Sequence, residues 1–441
     1  NILLNLNMKK QISGWGKNIS VNTNISFPKN LSQLKKNIKK NCIARGLGRS
    51  YGDSSINSKN TVITTQLKRI INFDKKKGTL EAESGVSIEQ ILELIVKEGW
   101  FLPVTPGSKK ITLGGMIASD VHGKNHHKVG NFSNFILGFK LLDNKKRLIE
   151  CSKKRNSLIF NNTIGGMGLT GIIYSCKLKL KKIQSSLIFE DKIKNYNLKE
   201  TLKCISASKN WDYNVAWIDT SPNTKEIGRS ILTRGYFLKK KEHKLFYTRD
   251  KSLIKNLPDI FPNFFMSTFL IKLLNSMYFT LSKSGTKISS IDEFFYPLDK
   301  INNWNVVYGN KGFISYQCSV PTTNSYNSIF QILKILKENK IYSFVSVLKS
   351  MGRNNKRLSF GQNGYTLVFD FPIYSNVLDV LNKIDLIVLN SKGRIYMTKD
   401  SRILKENFLK INKEFRNSDF KKLRKKYNFC FNSLQSERLG I

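Results

Sequence analysis

The sequence predicts an α+β protein of more than one domain, on three observations. The first third alternates short strand-like runs with glycine-rich turns and carries one clearly signed helix. Beyond about residue 183 the glycine density falls, aromatics rise, and strand and helix patterns mix. The 441 residues are 40% apolar and 11% aromatic, which allows large cores and excludes a disordered or fibrous chain. At about 150 residues per domain, that length allows two to three.

Each element has its own local cause. Asn60–Leu67, Thr79–Glu83 and Phe135–Leu142 read as strands between turn clusters. A helix starts after Ser87, which can cap the first turn while Gln90 completes a capping box. Ile88, Ile91, Leu92 and Ile95 then share one face, and Gly99 stops the helix. From Ile173 to Leu180, the residues Tyr174, Cys176, Leu178 and Leu180 alternate at period two, as in a half-buried strand. Further on, Ile329–Leu336 and Val377–Leu389 have continuous apolar helix faces, and Tyr365–Phe371 reads as a buried strand. The stretch Phe261–Leu281 is the most apolar surface candidate, but Lys272 and its Asn and Ser residues interrupt it. A lid, an interfacial helix and a core helix are all open there. The basic tail Arg394–Ile441 ends in a predicted helix.

Charge separates few functions. The chain carries 74 Lys+Arg against 31 Asp+Glu, a formal +43. The excess is mostly lysine spread along the whole chain, in company with abundant Asn and Ile, so it reads as compositional drift. No nucleic-acid recognition motif accompanies it, and nucleic acid is not an expected partner. Six cysteines without CxxC spacing read as reduced, mostly buried small hydrophobes in a cytosolic-type compartment. No apolar run is long enough to span a bilayer. The segment Asn1 to Lys10 is too short and wrongly ordered for a signal peptide; an upstream start and a start at Met8 are both open.

Chemistry concentrates in three glycine-bearing segments and one basic one. In Ala44–Ser54 (ARGLGRSYGDS), Gly46, Gly48 and Gly52 permit close backbone approach, and free N–H groups there can form an anion nest. The loop is neither a Walker loop nor a Rossmann fingerprint, and a diphosphate is its natural guest. In Pro103–Phe132, Gly107, Gly114, Gly115 and Gly123 suggest a second cradle around the same elongated ligand. That segment also holds His122, His126 and His127; Gly123 and Asn125 argue against a helix that would align the first two on a metal, and no metal is expected. Gly165–Gly171 supplies a third wall before a strand at Ile172. In Arg394–Arg402 (RIYMTKDSR), Tyr396 and Lys399 lie three apart; Lys399 could act as a base, orient a phosphate, or simply be solvated.

Taken together, ARGLGRSYGDS, TPGSKKITLGGMIASDVHGKNHH and YMTKDSR resemble the signatures of the decaprenylphosphoryl-β-D-ribose 2′-oxidase family. That family lies within the vanillyl-alcohol-oxidase (p-cresol methylhydroxylase, PCMH) type of FAD flavoenzymes. SGWGK at Ser13–Lys17, VAWID at Val215–Asp219, FPN at Phe261–Asn263, YPLD at Tyr296–Asp299 and FDFP at Phe369–Pro372 extend the resemblance nearly end to end. It implies a two-part PCMH-type FAD domain, 1–183 and the returning 394–441, with an inserted mixed α/β substrate domain on an antiparallel sheet, 184–393. Cofactor contacts would come from Gly46, Gly48, Arg49, Ser50, Tyr51, Gly52 and Asp53, then Gly107, Ser108, Thr112, Gly114, Gly115 and Ser119. His122, Gly123, Asn125, Gly168, Ile172 and Tyr396 would complete them. Covalent relatives place a His where this chain has Tyr51, so non-covalent FAD is expected.

The resemblance further implies hydride transfer to the flavin from C2′ of a polyprenyl-phosphoryl pentose, as the first half of a ribose-to-arabinose epimerisation. Lys399 is the first candidate for the group at the reacting hydroxyl, with His122 second and Tyr396 beside them. Lys124, Trp217, Gln317 and Lys349 would hold substrate. A lipid-linked sugar phosphate and a keto-sugar reductase are the implied partners, in a cytoplasmic setting compatible with peripheral contact at the inner membrane. Four pocket positions depart from the family pattern: Val368 replaces a cysteine, Phe295 a tyrosine, Val306 an arginine and Ser315 a glutamine. These departures leave the lipid and sugar open, and a same-fold oxidase of a soluble alditol or aldonolactone is the alternative.

Overall fold

The computed structural model describes residues 8–222, 224–239, 245–247, 257, 266–353, 358–416 and 419–441. Phe261–Asn263, and with them the first residues of the apolar stretch, lie outside these. Helices and mostly antiparallel sheets make up the described chain, an α+β architecture.

Two smaller sheets form around the glycine-rich part. Strands Met8–Ser13, Ser20–Ser26, Asn60–Ile63 and Cys42–Arg45 make a four-stranded sheet, in which Asn60–Ile63 runs parallel to both neighbours. Strands Ile70–Asp74, Thr79–Glu83, Ile172–Lys179, Ile136–Leu142 and Leu148–Cys151 make a five-stranded antiparallel sheet. The helix Ile88–Ile95 packs here. Its Ser87–Gln90 capping box is formed, Ile88, Ile91, Leu92 and Ile95 are fully buried, and Gly99 beyond its end takes φ +78°. Burying each of those four side chains is worth ~1.5–3 kcal/mol, so this helix is held by its apolar face more than by propensity. Tyr174, Cys176, Leu178 and Leu180 are buried as their alternation predicts, while Lys177 and Lys179 face water.

An eight-stranded antiparallel sheet spans the remainder, from edge strand Gly285–Ser289 through Ile188–Asn195, Ser230–Phe237, Tyr213–Ile218, Ser346–Met351, Gly364–Pro372 and Phe313–Pro321 to Arg394–Ile395. Helices Leu198–Ala207, Ser325–Glu338 and Val377–Asn390 bury apolar faces in the same core as Leu348, Leu367 and Phe369 of that sheet. Residues 313–320 are therefore buried on both faces. The C-terminal segment returns to the first sheet: Asn432 N–H donates to the Cys42 carbonyl and Asn41 N–H to that of Cys430.

Two local expectations change. Asn60–Leu67 is a strand only to Ile63 and then turns into a 3-10 segment, Thr64–Gln66. His122–Asn125 is non-helical as expected, but a single helical turn, His126–Val129, follows at once. Within Phe261–Leu281, the described part forms the helix Thr268–Leu281, capped by Ser267. It buries Ile271, Asn275 and Phe279 and exposes Phe269, Leu273, Met277 and Leu281, so it is not a plain core helix. The six cysteines are free, four of them buried.

Candidate active site

The three glycine segments converge on one groove of about 860 Å³. Gly46, Gly48, Arg49 and Ser50 line it from the first loop, Thr112, Gly114, Gly115 and Ser119 from the second, and Met167, Gly168 and Gly171 from the third. Gly46 is obligatory because a Cβ there would sit 2.1 Å from Thr112 Oγ1, where the first two cradles touch. Gly48 takes φ +67°, and a Cβ on it would strike the Arg45 guanidinium at 2.3 Å. Thr112 caps the short helix Leu113–Ala118, accepting from Gly115 N–H.

Two buried polar atoms of this lining have no hydrogen-bond partner among the described residues: Arg49 Nε and Ser84 Oγ. The Arg49 guanidinium is held 3.6 Å over the Trp15 ring, which fixes its direction. A buried cationic donor without an acceptor is costly, and an anionic ligand in the groove would satisfy it. Among the described residues no His or Cys lines the groove.

A second cavity, of about 1030 Å³, lies beside the first. The segment Ser119–Lys124 joins them: Ser119 and Val121 face the groove, whereas His122, Gly123 and Lys124 face the second cavity with Thr105 and Gly107. Its other walls include Lys349 and Lys192, the apolar side chains Trp217, Tyr278, Phe294, Phe295 and Leu298, and the carboxylates Glu190 and Glu293, of which Glu190 pairs with Lys192 at 3.5 Å. Trp217 is fixed by donating to the Phe344 carbonyl at 2.9 Å and by an edge contact with Tyr278. Lys124 donates to the Phe294 carbonyl and lies 4.5 Å over that ring.

Electrostatically the site is a cluster of cations deprived of water. Burial, reinforced by Lys124 and Lys399, lowers Lys349 to about 7. Burial lowers Lys124 to about 8. Lys399 also falls to about 8 through burial, against the opposing pull of Asp370. Its Nζ lies 3.8 Å from Asp370 Oδ1 and 3.3 Å over the Tyr51 ring. His122 is held well below the ordinary histidine value, first by burial and then by Lys349, His126 and Lys399. Its Nε2 is 2.8 Å from Gln317 Nε2 and its Nδ1 3.4 Å from Lys349 Nζ. Tyr396 packs 5.6 Å from the His122 ring and donates its hydroxyl to the Ser119 carbonyl.

Not every expected site residue faces either cavity: Tyr51, Gln317, Tyr396 and Lys399 line neither and reach the site through their contacts with one another and with His122. Asp53 is buried in an ion pair with Arg438, which ties the C-terminal helix Leu434–Leu439 to the first loop. Ser108 donates to Asp299, Asn125 donates to the Pro103 carbonyl, and Ile172 is fully buried in the core. Gly52 serves packing, since a Cβ there would lie 2.1 Å from the Asp400 carbonyl. Sequence reading passed over Asp370, Thr366, Ser84 and Tyr278. Asp370 stood in the quoted FDFP string, so its acidity in a buried strand was a usable signal; the others had none. Of the departures, Ser315 hydrogen-bonds Asp370, and Phe295 lies in an aromatic cluster with Phe101, Tyr213 and Phe237. Among the described residues no group of three His, Cys, Asp or Glu could hold a metal.

Comparison with known proteins agrees with this geometry. A profile of the FAD binding domain matches residues 29–152, which contain the first two cradles. Decaprenylphosphoryl-β-D-ribose oxidase of Mycolicibacterium smegmatis is 32% identical over 419 residues, 90% of each chain. Mitochondrial L-galactono-1,4-lactone dehydrogenase of Brassica oleracea is 24% identical over 40% of this chain and 30% of its own. Delta(24)-sterol reductase of Rattus norvegicus matches at 28% over 27% of this chain and 23% of its own. Groove, cation cluster and profile together define an FAD-dependent oxidoreductase, with a fold that fits the PCMH type. Within that class, the chain belongs to the decaprenylphosphoryl-β-D-ribose oxidase family.

Proposed function

We propose that the chain oxidises the C2′ hydroxyl of a polyprenyl-phosphoryl pentose to the 2-keto sugar. The observation that carries this reading is the second cavity, in which Lys124 and Lys349 stand beside Trp217, Tyr278 and two phenylalanines, while Lys192 is already paired with Glu190. Cations for a phosphate and an apolar wall for a prenyl chain suit a lipid-linked sugar phosphate better than a soluble polyol, which needs neither. The aldonolactone enzyme matches less than half of this chain, whereas the prenyl-phosphoryl-ribose enzyme matches 90%.

Non-covalent FAD would occupy the first groove, with its diphosphate completing Arg49 and the glycine N–H groups. When bound, it supplies acceptance of a hydride from the alcohol carbon. The chain's own residues do the remaining work. Lys349 and Lys124 hold the phosphate, and the His122–Gly123 backbone orients the sugar across the passage between the cavities. Lys399 Nζ, neutral over part of its population near pH 8, takes the hydroxyl proton, and Asp370 beside it bears part of the resulting ammonium charge. The lobes assigned to these roles are 1–183 with 394–441 for the cofactor and 184–393 for the substrate, although the strand Arg394–Ile395 and the side chains Met397, Ile403 and Phe408 pack with the substrate lobe's sheet.

The keto product is an oxidised sugar still attached to lipid, so a keto-sugar reductase must consume it. We place the enzyme at the cytoplasmic side of the inner membrane. Phe269, Leu273, Met277 and Leu281 form an exposed stripe on Thr268–Leu281, with exposed Lys272, Lys283 and Lys287 around it, as a peripheral contact with anionic lipid requires. Among the described residues no helix is long and apolar enough to cross a membrane. Substrate deuterated at C2′ tests the position of oxidation: flavin reduction should slow severalfold, and an equal rate for the deuterated and ordinary substrates contradicts C2′ as the hydride donor.

A further inference from the structure

We propose that Thr366 fixes the tautomer of His122, holding the single imidazole proton on Nδ1 and leaving Nε2 as an acceptor. This rests on the reading of His122 as a site residue and adds a role for a side chain outside every sequence motif.

The argument is one of donors and acceptors. Thr366 is fully buried in the strand Gly364–Pro372, and its hydroxyl donates to the Cys318 carbonyl at 2.8 Å. A carbonyl only accepts, so the one hydroxyl proton is committed and Oγ1 is left as an acceptor. The Gln317 amide lies 3.1 Å from that oxygen and 2.8 Å from His122 Nε2. Only the amide nitrogen can serve the threonine oxygen, and its second proton then points at the imidazole. Nε2 must accept, and the ring proton resides on Nδ1; Lys349 Nζ, 3.4 Å away, then meets that proton with the lone pair of its neutral amine, the form that burial favours by lowering this lysine to about 7. The neighbouring histidines have the opposite arrangement. His126 Nδ1 accepts from the Gly352 backbone N–H at 3.1 Å, which puts its proton on Nε2 toward Asn131. His127 Nε2 lies 2.9 Å from the Trp211 carbonyl and so also carries its proton.

The consequence separates the two candidates for the proton-accepting group. His122 offers the cavity an N–H donor and has its basic nitrogen turned into the protein, against Gln317. Proton removal falls to Lys399, and His122 serves as a donor to substrate oxygen. Thr366 is a positioning residue, acting through Gln317.

Long-range proton–nitrogen correlation spectra of the FAD-loaded protein, labelled at histidine nitrogen, read the tautomer without turnover. The His122 signal is assigned by its loss in His122→Gln. The expected result is an Nδ1–H pattern for His122 and Nε2–H patterns for His126 and His127. Thr366→Val removes the acceptor, freeing Gln317 to turn its carbonyl toward His122, and should convert that signal to the Nε2–H pattern; Thr366→Ser should restore the original. Should Thr366→Val not fold, Gln317→Glu, whose carboxylate only accepts, should force the same conversion. An Nε2–H pattern for His122 in the unsubstituted protein, or a signal unmoved by Thr366→Val, overturns the proposal. Neither result depends on the substrate, so a soluble polyol substrate would sink the proposed function and leave the tautomer standing.

Discussion

Lys399 is the residue on which the proposed chemistry turns, and its environment sets a testable pH dependence. Burial lowers its pKa and Asp370 raises it. If neutral Lys399 removes the hydroxyl proton, the rate of flavin reduction rises with pH through about 8. Asp370→Asn removes a raising influence, so the midpoint of that rise should move to lower pH. A limb that falls with rising pH would instead assign Lys399 to electrostatic stabilisation. Lys399→Met should cost kcat roughly 10²–10⁴-fold, the ordinary range for a lost general base. Lys349 has the complementary role: Lys349→Met should raise KM for a phosphorylated substrate about 10–100-fold, from ~1.5–3 kcal/mol of charge-assisted contact, with kcat little changed. Legibility at this scale was uneven. Lys399 could be named from its motif and Lys349 from the family resemblance, and Asp370 stood in a motif without being singled out, but Thr366 and Tyr278 acquire their roles from neighbours distant in sequence, which no local pattern encodes.

Individual elements were easier to read than the contacts between them. The helix Ile88–Ile95 was legible to the residue, because a capping box, an apolar face and a stop glycine are all local devices. Ser87→Ala should cost about 1 kcal/mol in a denaturant titration, with the fold retained. The stretch Phe261–Leu281 was not legible, since its composition suits several states and only tertiary packing separates them. Its described helix exposes Phe269, Leu273, Met277 and Leu281. Replacing Leu273 and Met277 by Glu should sharply reduce flotation with anionic vesicles while leaving FAD content unchanged; undiminished flotation would remove this face as the lipid contact. The glycine cradles lie between these cases. Their residues and their service to one elongated ligand were expected from the glycine clusters, while the close contacts between the cradles, as of Gly46 with Thr112, required the folded chain.

At the scale of the whole molecule, the division of labour is between a groove built from backbone and a cavity built from side chains. Backbone cradles tolerate sequence drift, and the FAD binding domain profile covers 29–152, where two of the three lie. Side-chain pockets change residue by residue, as Val368, Phe295, Val306 and Ser315 illustrate. The formal +43 says little about either, beyond Arg49 at the groove and the three lysines that line the second cavity. Because the groove lining offers no His or Cys among the described residues, acid precipitation should release all of the flavin into solution. The most direct test of the whole is anaerobic titration of the bound flavin with a polyprenyl-phosphoryl ribose and, separately, with soluble alditols and aldonolactones. Stoichiometric bleaching by the lipid-linked sugar, with none by the soluble compounds, is the expected result; bleaching by a soluble polyol and not by the lipid-linked sugar would contradict it.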